Sequence, residues 1–382
     1  MQKFILALCL IFLACGFAER GGQSTKAPIK TVIMDGLNHP WSIAFISNEE
    51  ALVSEKDGNL LRVNLQSKEK TIIKGLPADL VDSIRVRYRG DNSGLFEVRL
   101  HPDFAENQYV YLSYAAKTEG KMTTKVIRAQ LANDSLREAR TIIEAAPYTR
   151  QYYHYGGGMC FGADGKLYVT IGERLFKEID EPELPIAQDV TDKRGKIYRF
   201  NDDGTVPEDN PDFGPEAVPG LYAIGIRAAQ GICLNPKTGQ IWFSEHGTIQ
   251  GDEINLLQAG ANYGWPMVTT GRYRSDEFDP SPIEGANYTD PIWFWKHTVA
   301  PTGLCFYSGT EFPEWEGNLL VPGLSGGSLW RVRLEGGTIK SLEQLFVDQA
   351  VRSRKIAQSP NGRLYMLTDE DDGKIMRIQA TE

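Results

Sequence analysis

The segment GGMCFGADGKLYVTIGE, residues 157–173, carries the pattern from which the fold is read. It begins as a short apolar strand, MCF, turns through ADGK and returns as LYVTI. Alternating aromatic, β-branched and apolar residues are the mark of half-buried strands, and Asp and Gly between them mark a turn. The same strand–turn–strand signature recurs in WSIAFISNEEALVSE from Trp41, GLFEVRLHPDFAENQYVYLSY from Gly94, GICLNPKTGQIWFSEHG from Gly231, GLCFYSGTEFPEWEGNLLVPG from Gly303 and KIAQSPNGRLYMLTDE from Lys355. Most copies lead to a third strand, as in LLRVN from Leu60, KIYRF from Lys196, LWRVRL from Leu329 and KIMRIQ from Lys374.

Aligned on the first strand, Ala44, Arg99, Cys160, Cys233, Cys305 and Ala357 are equivalent, at intervals of 55, 61, 73, 72 and 52 residues. Six units of three or four strands predict an all-β, six-bladed β-propeller of four-stranded antiparallel blades, with a β-sandwich as the competing reading. The single domain is expected over residues 34–380. Two domains would be the default for 382 residues, but closed β-architectures reach this length as one unit. Insertions are expected at Arg174–Ala187, Glu208–Gly220 and Thr269–Asp290, rich in Pro, Gly or acidic residues.

The N-terminus reads as a targeting segment over residues 1–18. Lys3 precedes an apolar run from Phe4 to Phe17, and Gly16 and Ala18 suit signal-peptidase cleavage. Cleavage before Cys15, giving a lipid anchor, and a buried helix are the competing readings. Residues 19–33 read as a polar leader. No second long apolar stretch follows, so a secreted or periplasmic protein without a membrane span is expected. The net charge of −9 and the lack of a basic cluster exclude nucleic-acid binding as an expectation. Cys160, Cys233 and Cys305 fall in different blades, so they are expected to be unbridged, buried and mutually distant.

In a propeller, residues just before strand one and just after strand two emerge at one channel mouth, the natural ligand site. The first set is Asn92, His154, Arg227, Thr298, Arg352 and Arg354; the second is Glu55, Tyr114, Glu173, Glu245, His246, Ser325, Asp369 and Glu370. A ring containing one His and three Arg suits a polycarboxylate with a base beside it. The stretch EHGTIQGDEIN from Glu245 offers turn carbonyls and carboxylates, hard ligands for Ca²⁺, or else an ordinary acidic turn.

The blocks HYGGG from His154, AQDVTDKRGKIYRFNDDGTVPEDNP from Ala187, YAIGIRAAQG from Tyr222, EHGTIQGDEINLLQAGANYGWP from Glu245 and RSRKIAQSPNG from Arg352 resemble the soluble aldose sugar dehydrogenases of the glucose/sorbosone dehydrogenase family. These enzymes depend on pyrroloquinoline quinone (PQQ), a tricarboxylic quinone. The resemblance runs roughly from Leu37 to Ile378. It implies a six-bladed propeller, PQQ and Ca²⁺ as cofactors, a sugar substrate and an external electron acceptor. It implies His154 as general base and Arg227 beside quinone and substrate. Asn92, Thr298, Ser325, Arg352 and Arg354 are implied at the cofactor. Gly247 and Thr248 are implied as carbonyl ligands of a catalytic Ca²⁺, and Glu253 with the Tyr263 carbonyl as ligands of a structural one. Departures from the family pattern are Asn92 for a Gln, Ala228 for an Asn, Thr248 for a Pro and Ser325 for a cofactor-binding Lys. They leave two other readings open: a secreted carbohydrate- or partner-binding propeller with a degenerate quinone site, and a Ca²⁺-dependent lactonase.

Overall fold

The computed structural model describes residues 27–81, 91–175, 185–327 and 329–381. The targeting segment, Cys9 and Cys15, and most of the Arg174–Ala187 insertion lie outside the described residues. Each predicted strand pair is an antiparallel ladder, extended outward by further strands into six four-stranded sheets. Blade 1 comprises Pro40–Phe45, Glu50–Glu55, Leu60–Asn64 and Lys70–Ile72. Blade 2 comprises Leu95–Leu100, Tyr109–Thr118, Lys121–Ala132 and Ser135–Glu144. Blade 3 comprises Gly156–Phe161, Leu167–Ile171, Lys196–Phe200 and Leu221–Ile224. Blade 4 comprises Ala229–Leu234, Ile241–Glu245, Glu253–Leu256 and Trp293–Phe294. Blade 5 comprises Cys305–Phe306, Leu319–Pro322, Leu329–Glu335 and Thr338–Leu345. Blade 6 takes Ser353–Gln358, Leu364–Thr368 and Gly373–Ala380 from the C-terminus and its outer strand, Pro28–Leu37, from the N-terminus.

That last pairing corrects one expected boundary. The folded domain begins at Pro28, inside the segment read as polar leader, because Pro28 pairs with Ala380 and Lys30 with Ile378. It closes the ring by joining the two ends of the chain. The innermost strands touch in an unbroken circle, so the protein is a six-bladed β-propeller, and positions 44, 99, 160, 233, 305 and 357 all lie on those strands. Apolar faces of neighbouring blades form the core, with one cluster joining blades 2 and 3 through Tyr111, Val126, Met159, Val169 and Tyr198.

A hydroxyl near the end of strand two ties four blades to the next. Ser54, Ser113, Thr170 and Ser244 donate to the carbonyls of Phe96, Gly157, Ala229 and Thr302 at 2.5 to 2.9 Å. These bonds satisfy buried backbone groups where the strands of different sheets converge and cannot pair.

The six equivalent positions gather at one mouth, around a cavity of about 470 Å³ lined by Ala44, Arg99, Cys160, Cys233, Cys305 and Ala357 among others. The three cysteines are free, as expected, but only Cys160 is buried, and all three share this cavity. Equivalent positions on neighbouring inner strands converge on the axis, so different blades do not mean distant side chains. Burial pushes the Cys160 thiol up to about 12. Across the axis, Lys355 Nζ donates to both oxygens of Glu97 at 2.8 and 2.9 Å, and Arg99 joins that carboxylate at 2.6 Å. Among the described residues, no helix is long and apolar enough to cross a membrane.

Candidate active site

The opposite mouth collects the starts of the first strands. His154 sits at the entry to blade 3 in the left-handed region, φ +51°. The exit of strand two passes directly beneath it: a Cβ on Gly172 would lie 1.9 Å from the His154 carbonyl oxygen, so only glycine fits there. The next residue, Glu173, is 1% exposed, and its carboxylate Oε1 meets His154 Nδ1. An ionised carboxylate can only accept, so Nδ1 carries the proton and Nε2 of the neutral ring is left as an acceptor. Burial, and then the charges of Arg227, His246, Arg274 and Arg174, hold the imidazole well below its ordinary pKa. The ring is therefore neutral near pH 7, as a general base must be.

Arg174 fixes the segment that presents His154. It is fully buried, donates to the Tyr153 and Gln151 carbonyls at 2.6 Å each, and lies 3.4 Å over the Tyr155 ring. Glu173 also donates its backbone N–H to the Arg227 carbonyl at 2.9 Å, which ties the base to blade 4. There the Arg227 guanidinium faces Trp265 at 5.1 Å and donates to the Gly247 carbonyl at 2.6 Å. The Thr248 carbonyl accepts from Arg274 at 2.9 Å, and Arg274 comes from the Thr269–Asp290 insertion. Both carbonyls implied for the catalytic Ca²⁺ are thus capped by guanidinium groups. Asp252 is spent on the backbone N–H groups of Gly247, Val299 and Ala300, at 2.9, 2.6 and 2.7 Å. As the residues stand, this turn does not fit a divalent cation.

The second metal position gathers oxygen donors around a small cavity. Glu245, Glu253 and Tyr263 line a cavity of about 20 Å³, room for one water-sized body. Both carboxyls are pushed up, first by burial; Glu253 is the next cause for Glu245, while hydrogen bonds from Thr270 and Asn255 pull Glu253 partly back. Glu245 accepts from the Arg227 and Ala228 N–H groups, Glu253 from Thr270 at 2.7 Å and Asn255 at 3.1 Å, and the two carboxyls set side by side are oxygen donors of the kind that suits Ca²⁺.

At blade 6, Asp369 Oδ2 accepts from Arg352 Nε at 2.9 Å and Arg354 Nη2 at 2.6 Å. Arg354 is 3% exposed, lies 4.0 Å over the Trp41 ring and donates to Gln230 Oε1 at 2.8 Å. Its Nε is buried and has no hydrogen-bond partner among the described residues. Two arginines share one carboxylate, and the buried Arg354 with its orphaned donor beside an aromatic face and the exposed Arg352 next to it fit a planar polycarboxylate such as PQQ. The outer members of the expected set are placed by other bonds. Asn92 donates its backbone N–H to Tyr152 at 2.9 Å, Ser325 likewise to Val299 at 3.0 Å, and the Thr298 hydroxyl bonds the Ile249 carbonyl at 2.6 Å. Glu55 bonds to Asn38 and Asn59 nearby, and the Tyr114 hydroxyl reaches Asp79 at 2.9 Å from a ring packed in the core. Sequence reasoning placed Glu173 and Asp369 at the rim without seeing that they partner His154 and the two arginines. It missed Arg174, Arg274, Gln230 and Trp41, whose only signal was proximity to the mouth-forming positions.

Comparison with known proteins agrees with this geometry. The family model described as Glucose / Sorbosone dehydrogenase matches residues 37–377. The aldose sugar dehydrogenase YliI of Escherichia coli (strain K12) is 32% identical over 355 residues, covering 91% of each chain. The quinoprotein glucose dehydrogenase B of Acinetobacter calcoaceticus is 28% identical over 431 residues, covering 91% of this chain and 87% of the relative. A solved glucose dehydrogenase superposes with a TM-score of 0.82 at 35% identity, over 93% of this chain and 100% of that one. The chain belongs to the glucose/sorbosone dehydrogenase family and is, at the level of that family, a PQQ-type oxidoreductase.

Proposed function

We propose that this protein oxidises aldose sugars at the anomeric carbon to lactones, with PQQ as its resident cofactor and His154 as general base. The observation that carries the proposal is the His154–Glu173 pair set in an arginine-lined channel mouth. The free Nε2 would take the proton of the anomeric hydroxyl, so that the same carbon can give up its hydride. As the imidazole becomes charged, Glu173 balances it at Nδ1. Arg227 would face the sugar oxygen on which negative charge develops. Bound PQQ would supply the two-electron acceptor chemistry, and the electrons would leave to an external acceptor. Arg352 and Arg354 would hold the cofactor carboxylates, with Asn92, Thr298 and Ser325 around the rim. Glu253, Glu245 and the Tyr263 carbonyl would hold a structural Ca²⁺; no chemical step is assigned to a metal at Gly247 and Thr248.

The test begins with spectra and tryptophan fluorescence of the protein titrated with PQQ in Ca²⁺. Loaded protein is then assayed with an aldose panel and an artificial electron acceptor. His154→Ala should lower kcat by about 10²–10⁴-fold, the usual scale for general acid–base catalysis, and leave PQQ affinity nearly intact. Absence of PQQ binding, or equal rates for the variant and the natural protein, would sink the proposal. Either result would favour a binding propeller.

A further inference from the structure

The mouth opposite the proposed active site holds a cavity that the sugar chemistry does not use. Its inner ring is Ala44, Arg99, Cys160, Cys233, Cys305 and Ala357, five small residues and one arginine. Protein interiors are packed to crystal-like density, so space on the axis persists only where the converging side chains are too small to fill it. The opening, about 470 Å³, lies within the usual range for small-molecule sites, roughly 300–1,000 Å³. Phe45, Phe161, Leu234, Leu304 and Phe306 give it apolar walls.

The polar end of the cavity is built from the layer beneath. Two residues earlier on each inner strand stand Ser42, Glu97, Gly158, Gly231, Gly303 and Lys355. The strands come close there: a Cβ on Gly231 would lie 2.0 Å from the Thr302 carbonyl oxygen, and one on Gly303 2.2 Å from Lys355 Cδ. Glu97 and Lys355 are buried and join across the axis at 2.8 and 2.9 Å, and Arg99 Nη2 donates to the same carboxylate at 2.6 Å. Lys355 and Arg99 line the cavity, whereas Glu97 lies behind them, and among the described residues no carboxylate lines it. The Arg99 side chain is 31% exposed, and its Nε has no hydrogen-bond partner among the described residues. The cavity therefore offers two cations at one end and apolar surface around them.

We propose that this cavity is a second ligand site, which takes a small organic monoanion with an apolar body. The carboxylate of such a ligand meets Arg99 and Lys355, and its hydrocarbon covers the phenylalanine and leucine walls. An inorganic anion would leave those walls wet, and a neutral hydrocarbon would leave both cations unanswered. The site is independent of the cofactor reading, because none of its residues lies at the other mouth.

The test uses the protein without PQQ. Octanoate, 4-phenylbutyrate and their uncharged amides are titrated calorimetrically into the natural protein, Arg99→Gln and Ala357→Phe, with melting temperatures measured alongside. The acids should bind, and each amide should bind at least about tenfold more weakly, as should either acid to Arg99→Gln, the scale of one charged hydrogen bond. Ala357→Phe keeps both cations but fills the space, and should abolish binding. A mutation-free measurement runs in parallel. Cys233 and Cys305 are half-buried thiols on the cavity wall, so octanoate should slow their labelling by N-ethylmaleimide, read by mass spectrometry, and octanamide should not. Failure of both acids to bind overturns the proposal, as does equal affinity for acid and amide. Should Arg99→Gln fold poorly, the thiols decide: labelling that octanoate leaves unchanged overturns it too.

Discussion

Glu173→Gln isolates the contribution of the carboxylate behind the proposed base. The side chain is buried and keeps its shape, and the amide oxygen can still accept from His154 Nδ1. What disappears is charge. In the resting enzyme little changes, since the imidazole is neutral. As it takes a proton, a charged hydrogen bond worth about 1.5–3 kcal/mol is replaced by a neutral one worth about 0.5–1.5 kcal/mol. A difference of roughly 1–1.5 kcal/mol corresponds to about a five- to twelvefold lower kcat. Should the new amide present its NH₂ to Nδ1, the proton moves to Nε2 and the base is lost, with a fall nearer about 10²-fold or more. The pH profile gives a second, signed readout. A carboxylate favours imidazolium, so removing it lowers the His154 pKa further, and the acid limb of kcat/KM moves to lower pH. The assay is steady-state oxidation of an aldose by PQQ-loaded protein from pH 5 to 9, with PQQ affinity as control. An unchanged kcat, or an acid limb displaced to higher pH, would refute the pairing.

Arg174→Met should lower the urea midpoint by an amount equivalent to roughly 2–4 kcal/mol, because the half-buried Tyr153 and Gln151 carbonyls lose their buried donor and the Tyr155 ring its cation; an unaltered midpoint would show that the cage does not hold the His154 segment. Chelation with EDTA should lower the melting temperature and Ca²⁺ restore it, with stabilisation of about 2.7 kcal/mol at a hundredfold excess over Kd. Glu253→Gln should abolish that response, and a natural protein indifferent to both treatments would remove the structural metal. His154 itself makes a pH signature in stability: its folded pKa lies below the unfolded value, so the unfolded chain binds more protons and this contribution declines as pH falls below about 6.5. Urea midpoints of the natural protein and His154→Gln should therefore converge at acid pH, and a constant gap from pH 5 to 8 would contradict the buried neutral ring.

Local signals made the blades legible. Each first strand, turn and second strand is contiguous in the chain, so alternation and Gly/Asp turns identify it without knowledge of any other segment. The residues at the mouth follow from the same alignment, which is why His154, Arg227, Arg352 and Arg354 were placed on one face. The first part of the outer strand of blade 6, up to residue 33, reads as leader because its partner, Gly373–Ala380, lies at the far end of the propeller sequence. Nothing local in IKTVIMDGL distinguishes a closing strand from a linker.

Partners were harder to read than positions, and ring closure is the reason. Lys355 meets Glu97 across 258 residues, Arg354 meets Gln230 across 124, and Lys56 meets the Asp91 carbonyl across 35. None of these pairs lies in one blade, and each exists only after the six inner strands have converged on the axis. The same convergence explains the cysteines: equivalence in the repeat was taken to separate Cys160, Cys233 and Cys305, whereas around a narrow axis it brings them to one cavity. It also explains why substitutions at single family positions were a poor measure of the pocket. Ser325 reads as a lost charge when compared with its own position alone. A site fed by six blades can receive charge from any of them. For this fold the quantity to compare is the summed charge at the mouth, not the identity of one residue on its rim.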